Sequence, residues 1–154
     1  MLRFALGILL IFVWHIMAFP HPAVASENAA QVIVHPDLIF DHISIEDIRN
    51  IFLRRKTQWP NGERILPVAQ QPDSPARLYF DKRVFLRSPM ALRAYWNQQI
   101  FSGRQLPPPE RLNDQEVIEF VSTTPGAIGY ILITTKPGAT RVVSTLKSEA
   151  GQTP

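Results

Sequence analysis

The sequence predicts an α/β layered domain. Two observations carry this: short apolar runs of strand length alternate with segments whose apolar residues recur at helical spacing, and each helical segment opens on a hydroxyl or amide cap. A third sets the limits of the fold, because residues 1–25 read as an export leader and not as part of the domain.

After a polar start, Gln31–His35 is a strand ended by Pro36 and Asp37. Ser44 opens the first helix: Ser44 and Asp47 stand in capping-box positions, and Ile45, Ile48, Ile51 and Phe52 share one face. Arg54, Arg55 and Lys56 close it, cations suited to the negative end of the helix dipole. Residues 59–64, WPNGER, are turn chemistry, with Pro60 presetting φ and Gly62 free to take a positive one. The strand Ile65–Ala69 follows. Two helices then begin alike, at Ser74-Pro75 and Ser88-Pro89, each with a hydroxyl cap and a proline whose missing N–H is harmless in the first turn. The second places Leu92, Tyr95, Trp96 and Ile100 on a stripe expected in the core. Residues 103–109 form a stiff, proline-rich crossing, with the run Pro107–Pro109 read as a spacer before a groove ligand. Asn113 with Glu116 caps a helix bearing Val117, Ile118, Phe120 and Val121, which must end before Pro125. Gly126–Gly129 is predicted as a tight turn, and residues 128–133 as a continuous apolar strand of the kind buried mid-sheet. Thr140–Val143 adds an edge strand, and the tail from Ser148 is expected to be loosely held.

The leader has Arg3 as its positive end, an apolar run from Phe4 to Trp14, helix breakers at Pro20 and Pro22, and small residues at Ala23 and Ala25, so cleavage is expected after Ala25. The apolar run falls well short of the roughly 20 residues that span a bilayer. One domain is expected over 26–154, with its core over about 31–145. Removing Arg3 from the 16 Lys and Arg leaves 15 against 13 Asp and Glu, a net charge of +2 spread along the chain. Nucleic-acid binders instead concentrate Lys and Arg on one face, so no nucleic-acid partner is expected. Cysteine is absent, so the fold stands on its core without disulfides and has no thiol for a lipid anchor. A soluble periplasmic protein is the plain expectation.

His35, Asp37, Asp41 and His42 are all of metal-ligating type, but they lie between a strand and a helix, where Asp and Pro ordinarily make the turn; no metal or other cofactor is expected. Ser144 and Lys147 match Ser-x-x-Lys without the motifs that accompany it in acyl enzymes, and no catalytic residue is assigned. Gly126 and Gly129 lack the lysine of a phosphate loop. Trp59 and Tyr130 are read as core aromatics before contact residues.

Four segments in order, residues 45–68 (IEDIRNIFLRRKTQWPNGERILPV), the Ser74-to-Phe80 helix start, residues 94–109 (AYWNQQIFSGRQLPPP) and residues 121–131 (VSTTPGAIGYI), resemble the phosphate-binding components of bacterial ABC uptake systems, and more closely their small single-lobe relatives. The resemblance implies a single lobe of a type II periplasmic binding protein-like fold, a mixed sheet flanked by helices, and a non-enzymatic solute-binding role. In that family one wall of the site is a loop Arg-x-Asp-Gly-Ser-Gly-Thr leading into a helix. Ser74 falls on the serine, Pro75 on the glycine after it and Ala76 on the threonine, whereas Gln70 replaces the arginine and Pro72 the aspartate.

A helix N-terminus presents unpaired N–H groups and a partial positive charge to an anion. The expected anion contacts are therefore the Ser74 hydroxyl, the amides of Ala76 and Arg77, and the Arg77 guanidinium, for phosphate or a similar oxyanion. Asp73, if turned inward, would repel it. The competing reading is that Ser74 only caps its own helix. A second function is also open, docking on a membrane transporter or sensor subunit, as is a homodimer that rebuilds two lobes.

Overall fold

The computed structural model describes residues 29–39 and 41–147. The leader with its expected cleavage and the tail from Ser148 lie outside them. In chain order the elements are β1 (Ala29–Val34), α1 (Ile45–Phe52), β2 (Leu66–Pro67), β3 (Ala69–Gln70), α2 (Pro75–Phe80), α3 (Pro89–Phe101), β4 (Glu110–Arg111), α4 (Asp114–Thr123), β5 (Ala127–Leu132) and β6 (Arg141–Lys147). The main sheet has the order β2-β5-β1-β6. β1 runs antiparallel to both β5 and β6, and β2 runs parallel to β5, so the sheet is mixed.

Both faces of this sheet are covered, which explains why its central strands are apolar throughout. Successive side chains of a strand point to opposite faces. Accordingly Val32, Val34, Ile128 and Tyr130 join one cluster with Ile48 and Phe52 of α1 and Phe80 of α2. Ile33, Ala127 and Ile131 join a second cluster with Val117, Ile118 and Val121 of α4. The first cluster is rich in aromatic rings: Phe80 stacks on Tyr130 at 3.9 Å between centroids, and Phe52 meets Phe80 edge-on at 4.7 Å. Trp59 and Tyr130 are both buried.

The four helix caps form as their residues dictate. Ser44 accepts from the Asp47 amide, Ser74 from Arg77, Ser88 from Ala91 and Asn113 from Glu116. Glu116 also reaches back to accept the Leu112 amide at 3.0 Å.

Several boundaries differ from the expectation. α1 stops at Phe52 and Arg54 takes φ +59°, so Arg54, Arg55 and Lys56 lie beyond the last helical turn. The run 65–69 is not one strand in one sheet: Val68 donates to Ile128 of the main sheet at 2.9 Å, whereas the next amide, Ala69, donates to Pro109 at 2.9 Å. Adjacent strand amides point in opposite directions, so one run serves two partners, and β3 pairs in parallel with β4 in a small second sheet. Gly129 sits inside β5 and not in a turn; the turn is made earlier, where Gly126 takes φ +75° and Ala127 donates to Thr124. Its position follows from packing, since a Cβ on Gly129 would lie 2.6 Å from Val117 Cγ1 of α4. α2 does not end cleanly at Phe80 but widens into a π-helical turn over Asp81–Phe85, closed by Leu86 at φ +52°. α3 is held by buried Leu92 and Trp96 and by the Tyr95 hydroxyl, which donates to the Leu53 carbonyl at 2.9 Å, while Ile100 of the expected core stripe is exposed.

Gly129→Ala should cost about 1–3 kcal/mol, because the added methyl overpacks the contact between β5 and α4. Urea unfolding should show a lowered midpoint with an unchanged slope; an unaltered midpoint would mean that α4 yields freely.

Candidate functional site

The segment Gln71 to Ser74 turns the chain out of β3, and the Ser74 amide donates back to the Gln71 carbonyl at 3.1 Å. Ser74 then takes extended backbone angles, φ −67° and ψ 141°, and its Oγ accepts the Arg77 amide at 3.1 Å. Pro75 occupies the first helical position. The cap thus uses one lone pair of the hydroxyl, and the Ser74 O–H keeps its proton for donation. Ser74 and Ala76 are both buried, Ala76 at 1 % exposure, while Asp73 is exposed and does not turn into the core.

Arg77 lies beneath this cap with its side chain engaged through Nε and Nη1. Its Nε donates to Asp81 Oδ2 at 2.7 Å, and its Nη1 to the Gln70 carbonyl at 2.8 Å and to Glu110 Oε1 at 3.3 Å. Burial opposes the charge on Arg77, but Tyr130, Asp81 and Glu110 around it prevail and hold its value above the ordinary one. One cation between two carboxylates leaves the cluster with a single net negative charge.

Gln70, in the position where the resemblance expects an arginine, is 2 % exposed and serves four groups. Its side-chain amide donates to Asp114 Oδ1 at 2.6 Å and to the Tyr130 carbonyl at 3.1 Å. Its backbone amide donates to the Tyr130 hydroxyl at 3.1 Å, and its carbonyl accepts Arg77. Asp114, the first residue of α4, also accepts the Leu132 amide and the Thr135 hydroxyl. The structure therefore brings the three expected site residues, Ser74, Ala76 and Arg77, to one helix start, and adds Gln70, Asp81, Glu110, Asp114 and Tyr130 around them. Of these five, Gln70 was marked by the resemblance and Asp81 by its i,i+4 spacing from Arg77; Glu110, Asp114 and Tyr130 arrive by long-range pairing.

The other constellations are placed as follows. His35 is buried and its Nδ1 accepts the Asp37 amide at 3.3 Å, while Asp37, Asp41 and His42 are exposed. Among the described residues no group of three His, Cys, Asp or Glu is arranged to hold a metal. Ser144 and Lys147 lie three apart on β6, which directs them to opposite faces of the sheet. No helix of the described residues is long and apolar enough to cross a membrane.

The fold is like that of a single lobe of a type II periplasmic binding protein-like fold, a mixed sheet with helices on both faces. No protein-family model matches the chain, and no curated protein matches it in sequence. Solved structures share the fold at low identity. A protein from Clostridium perfringens assigned as a phosphate ABC transporter substrate-binding protein, solved with bound phosphate, matches with a TM-score of 0.56 at 16% identity, over 75% of this chain and 44% of its own. An ABC-type phosphate transport receptor from Vibrio cholerae matches with a TM-score of 0.59 at 14% identity, over 75% and 45%. PstS from Borrelia burgdorferi matches with a TM-score of 0.57 at 18% identity, over 75% and 46%. The chain spans less than half the length of each.

Tyr130→Phe removes the acceptor of a buried amide, that of Gln70, and should destabilise the fold by about 1–3 kcal/mol in chemical unfolding. The same hydroxyl gives a pH test. Burial pushes the Tyr130 phenol well above its ordinary value of 10.0, against the pull of Arg77 and Gln70. A value raised by folding means stability that is complete below the ordinary value and is lost as pH rises through the raised one. Stability should therefore fall above about pH 10, less steeply in Tyr130→Phe than in the parent. Equal alkaline slopes would show that Tyr130 ionises as readily folded as unfolded.

Proposed function

We propose that this chain is an exported, non-catalytic solute-binding lobe that takes phosphate or a similar oxyanion at the N-terminal end of α2. The contacts are the Ser74 hydroxyl proton, the Ala76 amide and the charge of Arg77, whose own amide, expected from the sequence as a further donor, is taken by the Ser74 cap. The observation that carries the reading is the shared fold, over 75% of the chain, with a protein solved with bound phosphate, joined to a helix that opens on an ordered serine cap.

The geometry also sets the strength. Arg77 is already neutralised by Asp81 and Glu110, and Ala76 lies under the cap. The one wall formed by these residues replaces only part of the water around the anion, so much of its hydration is retained and affinity drops. A dissociation constant on the order of 1 mM, about −4 kcal/mol, is expected.

The test is isothermal titration of the chain from Ser26 with phosphate at low ionic strength, with sulfate alongside. Saturable binding that prefers phosphate should disappear in Ser74→Ala. Glu110→Gln, which takes one carboxylate from Arg77, should tighten binding by about threefold to fivefold, the effect expected of one nearby charge in a wet site. Absence of heat from a folded protein at tens of millimolar phosphate in both the parent and Glu110→Gln would sink the reading.

A further inference from the structure

A cleft of about 740 Å³ opens between α2 with its π turn, α3 and the proline crossing at Pro107 and Pro108. Phe80, Phe85, Leu92 and Trp96 form its inner wall, and Leu78 and Leu86 stand exposed at its mouth. We propose that this cleft is a binding site for an amphipathic organic anion, an apolar body with one anionic head group, beyond the oxyanion contact at Ser74.

Three observations point there. The volume and lining are those of a small-molecule site, mostly apolar with a few polar groups, within the usual range of about 300–1,000 Å³. The backbone at the mouth is unusual in two adjacent places. The five residues Asp81–Phe85 form a π-helical turn, a distortion that recurs at functional sites. Leu86, directly after it, is held at φ +52° with 69 % of its surface exposed. Bulky side chains avoid that region, and a glycine would take it without cost. Strain of this kind is a pointer to function.

The charges then select the ligand. Arg77, Lys82, Arg87 and Arg93 line the cleft against Asp81 and Glu110, an excess of two positive charges. Both carboxylates are tied to Arg77 at one place, whereas Lys82, Arg87 and Arg93 are exposed. An anionic head is thus met by cations at the mouth and kept away from the Asp81 and Glu110 carboxylates, while the apolar body lies against the aromatic wall. A cationic amphiphile would meet the opposite arrangement.

The experiment uses dodecanoate, with dodecyltrimethylammonium as the oppositely charged probe of equal chain length, both below their micellar concentrations. Each is titrated into the chain from Ser26 by calorimetry and by tryptophan fluorescence, in which Trp96 lines the cleft and Trp59 is buried away from its lining. Dodecanoate should saturate a single site and shift the emission, with the cation weaker by about tenfold or more. The double change Lys82→Glu with Arg93→Glu, both at exposed positions, should weaken dodecanoate by about tenfold and reverse the preference. Leu78→Asp should abolish dodecanoate binding while the circular dichroism spectrum stays that of the parent. The proposal is overturned if a folded protein gives no saturation, if both probes bind equally, or if the double change has no effect. It is overturned as well if sedimentation shows the chain pairing with itself through this face in a dimer that Leu78→Asp dissolves, which would make a second copy the occupant.

Discussion

Gln70 is a buried residue with four polar groups to satisfy, and it can be buried only if β5, α2 and α4 all arrive in register around it. Its side-chain amide requires Asp114 at the start of α4, its backbone amide requires the Tyr130 hydroxyl from β5, and its carbonyl requires Arg77 of α2. An unmade bond at any of these groups costs about 1–3 kcal/mol, more than the net gain of making it. The network therefore specifies the fold more than it stabilises it. Tyr130 ties the two halves of this requirement together, since its ring stacks on Phe80 in the core while its hydroxyl serves Gln70.

The same network sets the electrostatics of the helix start. A half-buried guanidinium must be paired, because desolvating a lone charge is far more expensive than ordering a partner. Asp81 is supplied by the next turn of the same helix and Glu110 by β4. Burial in turn pushes the Asp81 carboxyl upward, against the pull of Arg77, so each member of the cluster is held by the others. An arriving anion competes with two carboxylates already in place, and removing one of them also loosens the anchor of α2. Capacity to bind and local stability are opposed at this position.

What was legible in the sequence was local. The caps at Ser44, Ser74, Ser88 and Asn113 are each decided within four residues, and the apolar run of β5 announced a strand covered on both faces. The mixed, layered fold followed from those signals with the resemblance. What was not legible depends on partners distant in sequence. Nothing near Ala69 tells that its amide turns to Pro109 while that of Val68 turns to Ile128. Gly129 reads as a turn residue because glycine usually is one, and the approach of Val117, Val68 and Val121 explains it. Ile100 completed a helical stripe, yet periodicity cannot say how far along α3 the body of the protein extends. For the site the division is the same. Ser74, Ala76 and Arg77 were visible as a helix start, whereas the contacts that occupy Arg77 come from residues 4, 7 and 33 positions away in the chain.

A binding surface that offers one wall faces different physics for different ligands. Recognition of a small inorganic anion requires its water to be replaced on all sides by donors, and a polar group desolvated without replacement is penalised. One wall can supply only part of that shell. Transfer of an apolar surface out of water has no such all-or-none character: it returns roughly 25 cal/mol for each Å² covered, whichever wall covers it. A cleft with aromatic residues along one side and cations at its mouth therefore keeps most of its capacity with that one wall, while an oxyanion contact with one wall loses most of its own. The exposure of Leu78 and Leu86 beside an ordered aromatic core is a cost for a free domain and an advantage for one that covers an apolar ligand from a single side.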